Sequence, residues 1–315
     1  GWRPALSPAE ANLLVVAGAA GHELEPFVRR VWDQLPAPRA RVDIPEHIVG
    51  GLDSAVRELR DAGRQRAQAS RPPVEHTAHD LAPAEDHGDH GHHLDHGHHG
   101  HHMDGMDGMA MPGGVPMADR ADDRDGLKLD QLHVPLGPVL PLWPAGLIVH
   151  TRLQGDVIQD ATVEVVGGGG EPWPGDATAR RLDSGARLLA LAGWVDASVA
   201  AQRLRDEVLA GHRPRIAAWA DRVRRSRALR WLLADVGSIP AGPAALTGDA
   251  LDRLRRWLDP FPEPPTADET QWTLDNLPAL LAGTELATAR LVVASLDPDL
   301  DLLTHDETHR GAHHG

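Results

Sequence analysis

The sequence predicts an α/β N-terminal parallel-sheet unit joined by a disordered His-rich linker to an α+β C-terminal region, a β-hairpin followed by a helical bundle. Three observations predict this. Strand-like and helix-like stretches alternate over residues 1–70, large apolar side chains become sparse over 71–126, and over 127–315 alternating apolar spacing gives way to helical spacing. A chain of 315 residues is long enough for two ordinary domains.

In the first zone, Asn12–Gly18 is a short apolar run ending in glycine, the pattern of a buried parallel strand. The next stretch places Leu24, Phe27, Val28, Val31 and Leu35 at helical spacing, and Pro36 and Pro38 stop it. Ala40–Ile44 predicts a second strand. Residues 45–65 predict one further helix with Pro45 near its start. The second zone carries Pro, Gly, Asp, His and all five methionines, too few apolar groups to offset the chain entropy of folding. In the third zone, residues 146–166 alternate on both sides of Gly155–Asp156, as a hairpin does. Helical spacing follows over 179–195, 199–212, 214–237 and 247–260, where Leu251, Leu254 and Leu258 share a face. Residues 290–299 predict a final strand.

Composition excludes several functions. A formal charge of −15 argues against nucleic acid as a partner, because phosphate neutralisation needs a basic surface. With no cysteine, these residues cannot supply a disulfide, a thiolate zinc site or ordinary iron–sulfur ligation. No apolar run reaches the ~18 residues that span a bilayer, and no signal peptide is visible. The expected location is cytoplasmic, peripheral to the inner face of a membrane. The chain begins at Gly1 rather than methionine, which leaves open residues ahead of it that could carry cluster ligands.

Pro26, Arg29, Arg30, Val31, Asp33, Gln34, Pro36 and Pro38 fall in the order P-x-x-R-R-V-x-D-Q-x-P-x-P after a strand ending in Ala-Gly. Over Ser7–Arg39 the chain resembles the small, cluster-binding subunit of NADH:quinone oxidoreductase (complex I) and the related small subunits of [NiFe]-hydrogenases. Gly137, Pro138 and Pro141, followed by the hairpin tip Gly155, Asp156, Val157 and Ile158, resemble the start of the quinone-binding subunit of complex I and of the hydrogenase large subunit. Ser295, Asp297 and Pro298 resemble the large-subunit S-x-D-P-C-x-x-C segment, with Asp299 and Leu302 at the two cysteine positions. Quinone-binding members carry histidines after Gly-Pro. Here Leu140 takes the place of the first, and Pro144 or Ala145 that of the second. The resemblance implies the frame of two neighbouring subunits fused in one chain, without the protein ligands of the clusters or of nickel and iron. It implies protein subunits of a respiratory or hydrogenase-like complex as partners. Arg29, Arg30, Asp33 and Gln34 would preserve the family's helix surface, and Gly137 and Pro138 its turn.

Eleven histidines lie between His76 and His102. His87, His90, His92, His93, His96, His98, His99, His101 and His102, with Met103 and Met106, form the candidate metal site. Imidazoles take nickel, copper or zinc, and thioethers suit Cu(I). The alternative is a solvated tether. Asp297, Asp299 and Asp301 would share one face of a strand and could bind a hard cation, or else form a solvated acidic run. Arginines 203–230 are expected to face solvent and pair with Asp206, Glu207 and Asp221, and His133 is expected to pack or hydrogen-bond. Two functions follow: a non-catalytic subunit or accessory factor of a redox complex, or a metal-handling protein.

Overall fold

The computed structural model describes residues 5, 7–18, 21–44, 49–69, 119–122, 128–167, 176–259 and 263–303. The proposed metal tract from His87 to Met106 and the acidic residues after Leu303 lie outside the described residues. The fold is mixed α/β, with a two-stranded parallel sheet, an antiparallel sheet and helices.

The N-terminal unit runs β1 (Leu13–Ala17), α1 (Gly21–Gln34), β2 (Ala40–Ile44), α2 (Val49–Arg60) and α3 (Ala62–Ala69). β1 and β2 pair in parallel, from Leu13 opposite Ala40 to Ala17 opposite Ile44. On β2, Ala40, Val42 and Ile44 point inward and pack with Ala55 of α2, while Arg41 and Asp43 alternate away from them. Arg41 grips Glu25 of α1 with both guanidinium nitrogens at 2.8 Å and also bonds Asp43. The single helix predicted over 45–65 is two. The chain leaves the helix at Asp61, whose carboxylate accepts from the backbone of Gly63 and Arg64, both at 3.0 Å, and so starts α3. The buried Gln65 of α3 then exchanges hydrogen bonds with the backbone N–H and carbonyl of Arg39, fixing the start of β2.

The Arg41 grip holds the Glu25 carboxyl below its ordinary value of 4.5. A depressed folded-state pKa stabilises the fold above the ordinary value, and this is lost as pH falls through the folded one. Glu25→Gln is therefore less stable than the parent chain at pH 7, and the gap narrows below pH 4.5. Melting curves by circular dichroism at pH 7 and at about pH 3 check this; an equal gap at both contradicts it.

β3 (Asp119–Asp122), β4 (Lys128–Leu136), β5 (Leu147–Gln154) and β6 (Val157–Val165) form an antiparallel sheet in that order. The hairpin turns at Gly155–Asp156, as the alternation predicts. β3 lies inside the stretch expected to be linker, 71–126, of which only residues 119–122 are described. Its sequence, Asp-Arg-Ala-Asp, has no apolar alternation; its order comes from pairing with β4.

The helices are α4 (Ala177–Leu191), α5 (Val195–Leu209), α6 (Ile216–Arg224), α7 (Arg227–Leu233), α8 (Ala250–Trp257), α9 (Ala267–Leu281) and α10 (Leu286–Leu296). The helix predicted over 214–237 divides after Arg224, and Ser226 caps the second piece by accepting from the Leu229 N–H at 3.3 Å. α9 begins with a capping box in which Thr266 and Glu269 bond each other's backbone N–H.

The strand predicted over 290–299 is a helix, α10, followed by a single tight turn at Leu300–Leu302. Val292, Val293 and Leu296 belong to the core between the antiparallel sheet and α9. Leu291 and Ala294 belong to the second core, shared with α4 to α8. A helix buried on both sides has no polar face, so its sequence shows an unbroken apolar run instead of a 3.6-residue period.

Candidate functional site

The two parts of the chain meet at a cleft of about 910 Å³. One wall is the outer side of β1 and the start of α1, with Val15, Val16 and Leu24. The other is the turn between β4 and β5, with Pro138, Leu140 and Trp143. The Gly167 N–H donates to Glu23 Oε2 at 2.6 Å, and Leu24 lies against Gly167. Val15 and Leu140, both lining this cleft, are 44% and 38% exposed.

The turn is shaped by Gly137, whose φ is +106°, followed by Pro138 across a cis peptide bond. The Gly146 N–H closes it on the Pro138 carbonyl at 3.1 Å, and the Trp143 indole donates to the Leu147 carbonyl at 2.8 Å. Gly137 and Pro138 therefore hold the turn, as the sequence predicts. Leu140, which stands where the resemblance calls for the first histidine, lines the cleft, and of Pro144 and Ala145, the two candidates for the second, Ala145 does so. An aliphatic side chain in the first place can neither donate a proton nor ligate. Among the described residues the ionisable groups bordering the cleft are His22, Glu23 and Asp301, and Glu23 is already bonded to Gly167. The walls are mainly apolar.

The family-surface residues share one side of α1. Arg29 and Gln34 are exposed; Arg30 and Asp33 are half-buried, and Arg30 lies 5.7 Å over the Phe27 ring. The opposite side carries Leu24, Val28, Val31 and Leu35. Arg29 and Asp33 border a second hollow with Glu25, Arg39 and Arg41.

The acidic triplet is not a cation site. Asp297 caps α10 in the left-handed conformation, φ 49° and ψ 52°, and is 3% exposed. Its oxygens take Arg180 Nη1 and Arg187 Nη2, both at 2.9 Å, and the Ser184 hydroxyl at 2.5 Å. Asp299 lies 3.6 Å from Arg180 Nε. Asp301 is exposed in the following turn. The three do not share a strand face, and arginines occupy the positions a cation would need. No cluster of three or more His, Asp or Glu able to hold a metal ion occurs among the described residues.

Sequence reasoning misses the arginines that matter here. Arg180, Arg181 and Arg253 are buried at 6%, 8% and 1% exposure. Arg253 donates to the carbonyls of Leu246, Gly248 and Gly237 and to Ser295 Oγ. It thereby ties α8 to α10, and burial brings its pKa down to about 10. The surface set behaves in part as expected. Arg205 pairs with Asp206 at 2.7 Å and with Asp183, Arg224 with Asp259 at 3.0 Å, and Arg222 stacks on Trp194. His133 is exposed on β4, so it does not pack as expected. Among the described residues no helix is long and apolar enough to cross a membrane. Comparison of the chain with protein-family models, curated proteins and solved structures finds no match.

Proposed function

We propose that this chain is a non-catalytic subunit or accessory factor of a redox complex of the NADH:quinone oxidoreductase or [NiFe]-hydrogenase type, acting by binding partner subunits. One observation carries the reading. The segment resembling the small, cluster-binding subunit and the segment resembling the quinone-binding or large subunit form opposite walls of a single cleft, joined by the Glu23–Gly167 hydrogen bond. The side chains at the former ligand positions, Leu140, Asp299 and Leu302, include no thiolate or imidazole, so the family's own cluster and nickel ligation is not supplied there. The exposed side of α1 is the surface assigned to a partner.

Charge reversal at Arg29 tests this. Arg29 is exposed and outside the apolar cores, so Arg29→Glu leaves the melting temperature within about 2 °C, as surface changes of a few tenths of a kcal/mol do. Recovery of partner subunits with the tagged chain from its native cells falls by about tenfold or more. Unchanged recovery of the same subunits contradicts the assignment.

The alternative reading, handling of nickel, copper or zinc, is favoured by the composition of residues 87–106. Deleting 76–111 separates the two. Retention of partners and phenotype supports the subunit reading; their loss together with bound metal supports the alternative.

A further inference from the structure

A cavity of about 270 Å³ lies between α4, α8 and α9, with Ser295–Pro298 as its inner wall. Two arginines reach it. Arg181 is 8% exposed; its Nε and Nη2 both donate to the Glu263 carbonyl, and its guanidinium lies 5.9 Å from the Trp257 ring. Its Nη1 has no partner among the described residues. Arg256 donates Nη1 to the Ala245 carbonyl at 2.8 Å and Nη2 to the Thr247 carbonyl, which leaves Nε without a partner among the described residues. Thr270 is 1% exposed. Its oxygen accepts from the Asp299 N–H at 3.2 Å, and its hydroxyl hydrogen has no acceptor among the described residues.

Of the four bordering carboxylates, three have partners outside the cavity. Asp297 is held by Arg180 and Arg187, Asp259 by Arg224 at 3.0 Å, and Glu269 accepts from the Thr266 N–H in the capping box. Glu263 gives its carbonyl to Arg181 and has its side chain at the exposed rim. The cavity thus holds two guanidinium groups whose hydrogen bonds go to main-chain carbonyls, not to the carboxylates, and each keeps an N–H that bonds no described residue. Burial is the largest influence on Arg181 and holds its pKa below the ordinary value, with the charge of Arg180 acting in the same sense and those of Asp297, Glu269 and Glu263 opposing it.

We propose that this cavity binds one small oxyanion group, a carboxylate or a phosphate, through Arg181 Nη1, Arg256 Nε and the Thr270 hydroxyl. Each arginine offers a single N–H, and a charge-assisted bond of this kind is about twice as strong as a neutral one. The cavity is large enough for a ligand of amino-acid or small-metabolite size. This inference is independent of the subunit reading and of the cleft.

Titration calorimetry of the full chain with inorganic phosphate and with succinate, against sodium chloride at matched ionic strength, tests it. Saturable binding of one equivalent is expected. Phosphate alone identifies a phosphate-bearing ligand, succinate alone a carboxylate, and both the shared oxyanion chemistry. Arg256→Gln weakens binding by about tenfold or more, while Arg227→Gln, exposed on α7, leaves it unchanged. If Arg256→Gln fails to fold, Thr270→Val keeps both arginines and weakens binding by a smaller factor of about threefold to tenfold. Absence of saturable binding to either anion overturns the proposal. So does binding that every folded variant at Arg256 or Thr270 leaves unchanged.

Discussion

Asp297→Ala lowers the unfolding free energy by about 3–5 kcal/mol, the cost of leaving a buried ion pair with one partner. Asp297 is 3% exposed and is the shared acceptor for Arg180, Arg187 and Ser184. Arg180 is itself buried, so removing the carboxylate strands a guanidinium in a low-dielectric interior. Asp299, at 3.6 Å, lies farther from it than Asp297 does, at 2.9 Å. The backbone adds to the loss, because alanine tolerates the left-handed conformation at φ 49° less well than aspartate does. Asp297→Asn keeps the shape and removes the charge, and it retains most of the loss. A double change of Arg180 and Asp297 to apolar residues of similar volume recovers much of it, since a buried pair exceeds an apolar replacement by little. Urea denaturation followed by circular dichroism measures all three. A loss under about 1 kcal/mol for Asp297→Ala would contradict this network.

Gly137→Ala is the second large effect. A Cβ at Gly137 would stand 2.0 Å from the Leu147 carbonyl oxygen and 2.8 Å from the Trp143 indole nitrogen, at a φ of +106°. Those two atoms are hydrogen-bonded to each other at 2.8 Å, so the methyl group must separate them or shift the start of β5. Backbone strain of ~1–3 kcal/mol and overpacking of a similar size give a loss of about 3–5 kcal/mol. Gly155→Ala is the matched comparison. Its φ is +62° with nothing within 4 Å, so only the conformational cost of about 1 kcal/mol remains. Equal losses at the two positions would show that the clash at Gly137 relaxes freely.

The contrast between what sequence reveals and conceals follows from what each element touches. β5 buries Leu147, Val149, Thr151 and Leu153 on one face and leaves only His150 and Arg152 half-buried on the other, while β6 alternates more openly, and the turn falls at Gly155–Asp156. β2 reads as a strand because Ala40, Val42 and Ile44 alternate with Arg41 and Asp43. α10 conceals its helix because Leu291 to Leu296 is buried between two cores. The splits at Asp61 and Ser226 are set by single side chains that bond backbone N–H groups, a local signal that apolar periodicity overlooks. Thr266-Ala-Asp-Glu269 is a legible capping box, and it marks the start of α9, for which apolar spacing gives no clear pattern.

The site follows the same logic. Gly137 and Pro138 are legible because a turn residue carries its requirement in its own backbone. The arginines are not, because Arg180 and Arg181 sit among helix-forming residues that look solvent-facing until α10 and the stretch after α8 fold over them. Asp297 and Asp299 read as cation ligands for the same reason: sequence spacing shows the carboxylates and hides the guanidinium groups that reach them from α4.

The role proposed for this chain is that of a partner-binding subunit of a redox complex. Affinity purification of the full chain from its own cells, with mass spectrometry of bound proteins and elemental analysis of the product, tests it most directly. The prediction is recovery, in fixed ratio, with subunits that resemble those of NADH:quinone oxidoreductase or [NiFe]-hydrogenase, the iron residing in those partners. Recovery of the chain alone, carrying several equivalents of nickel, copper or zinc, would contradict it.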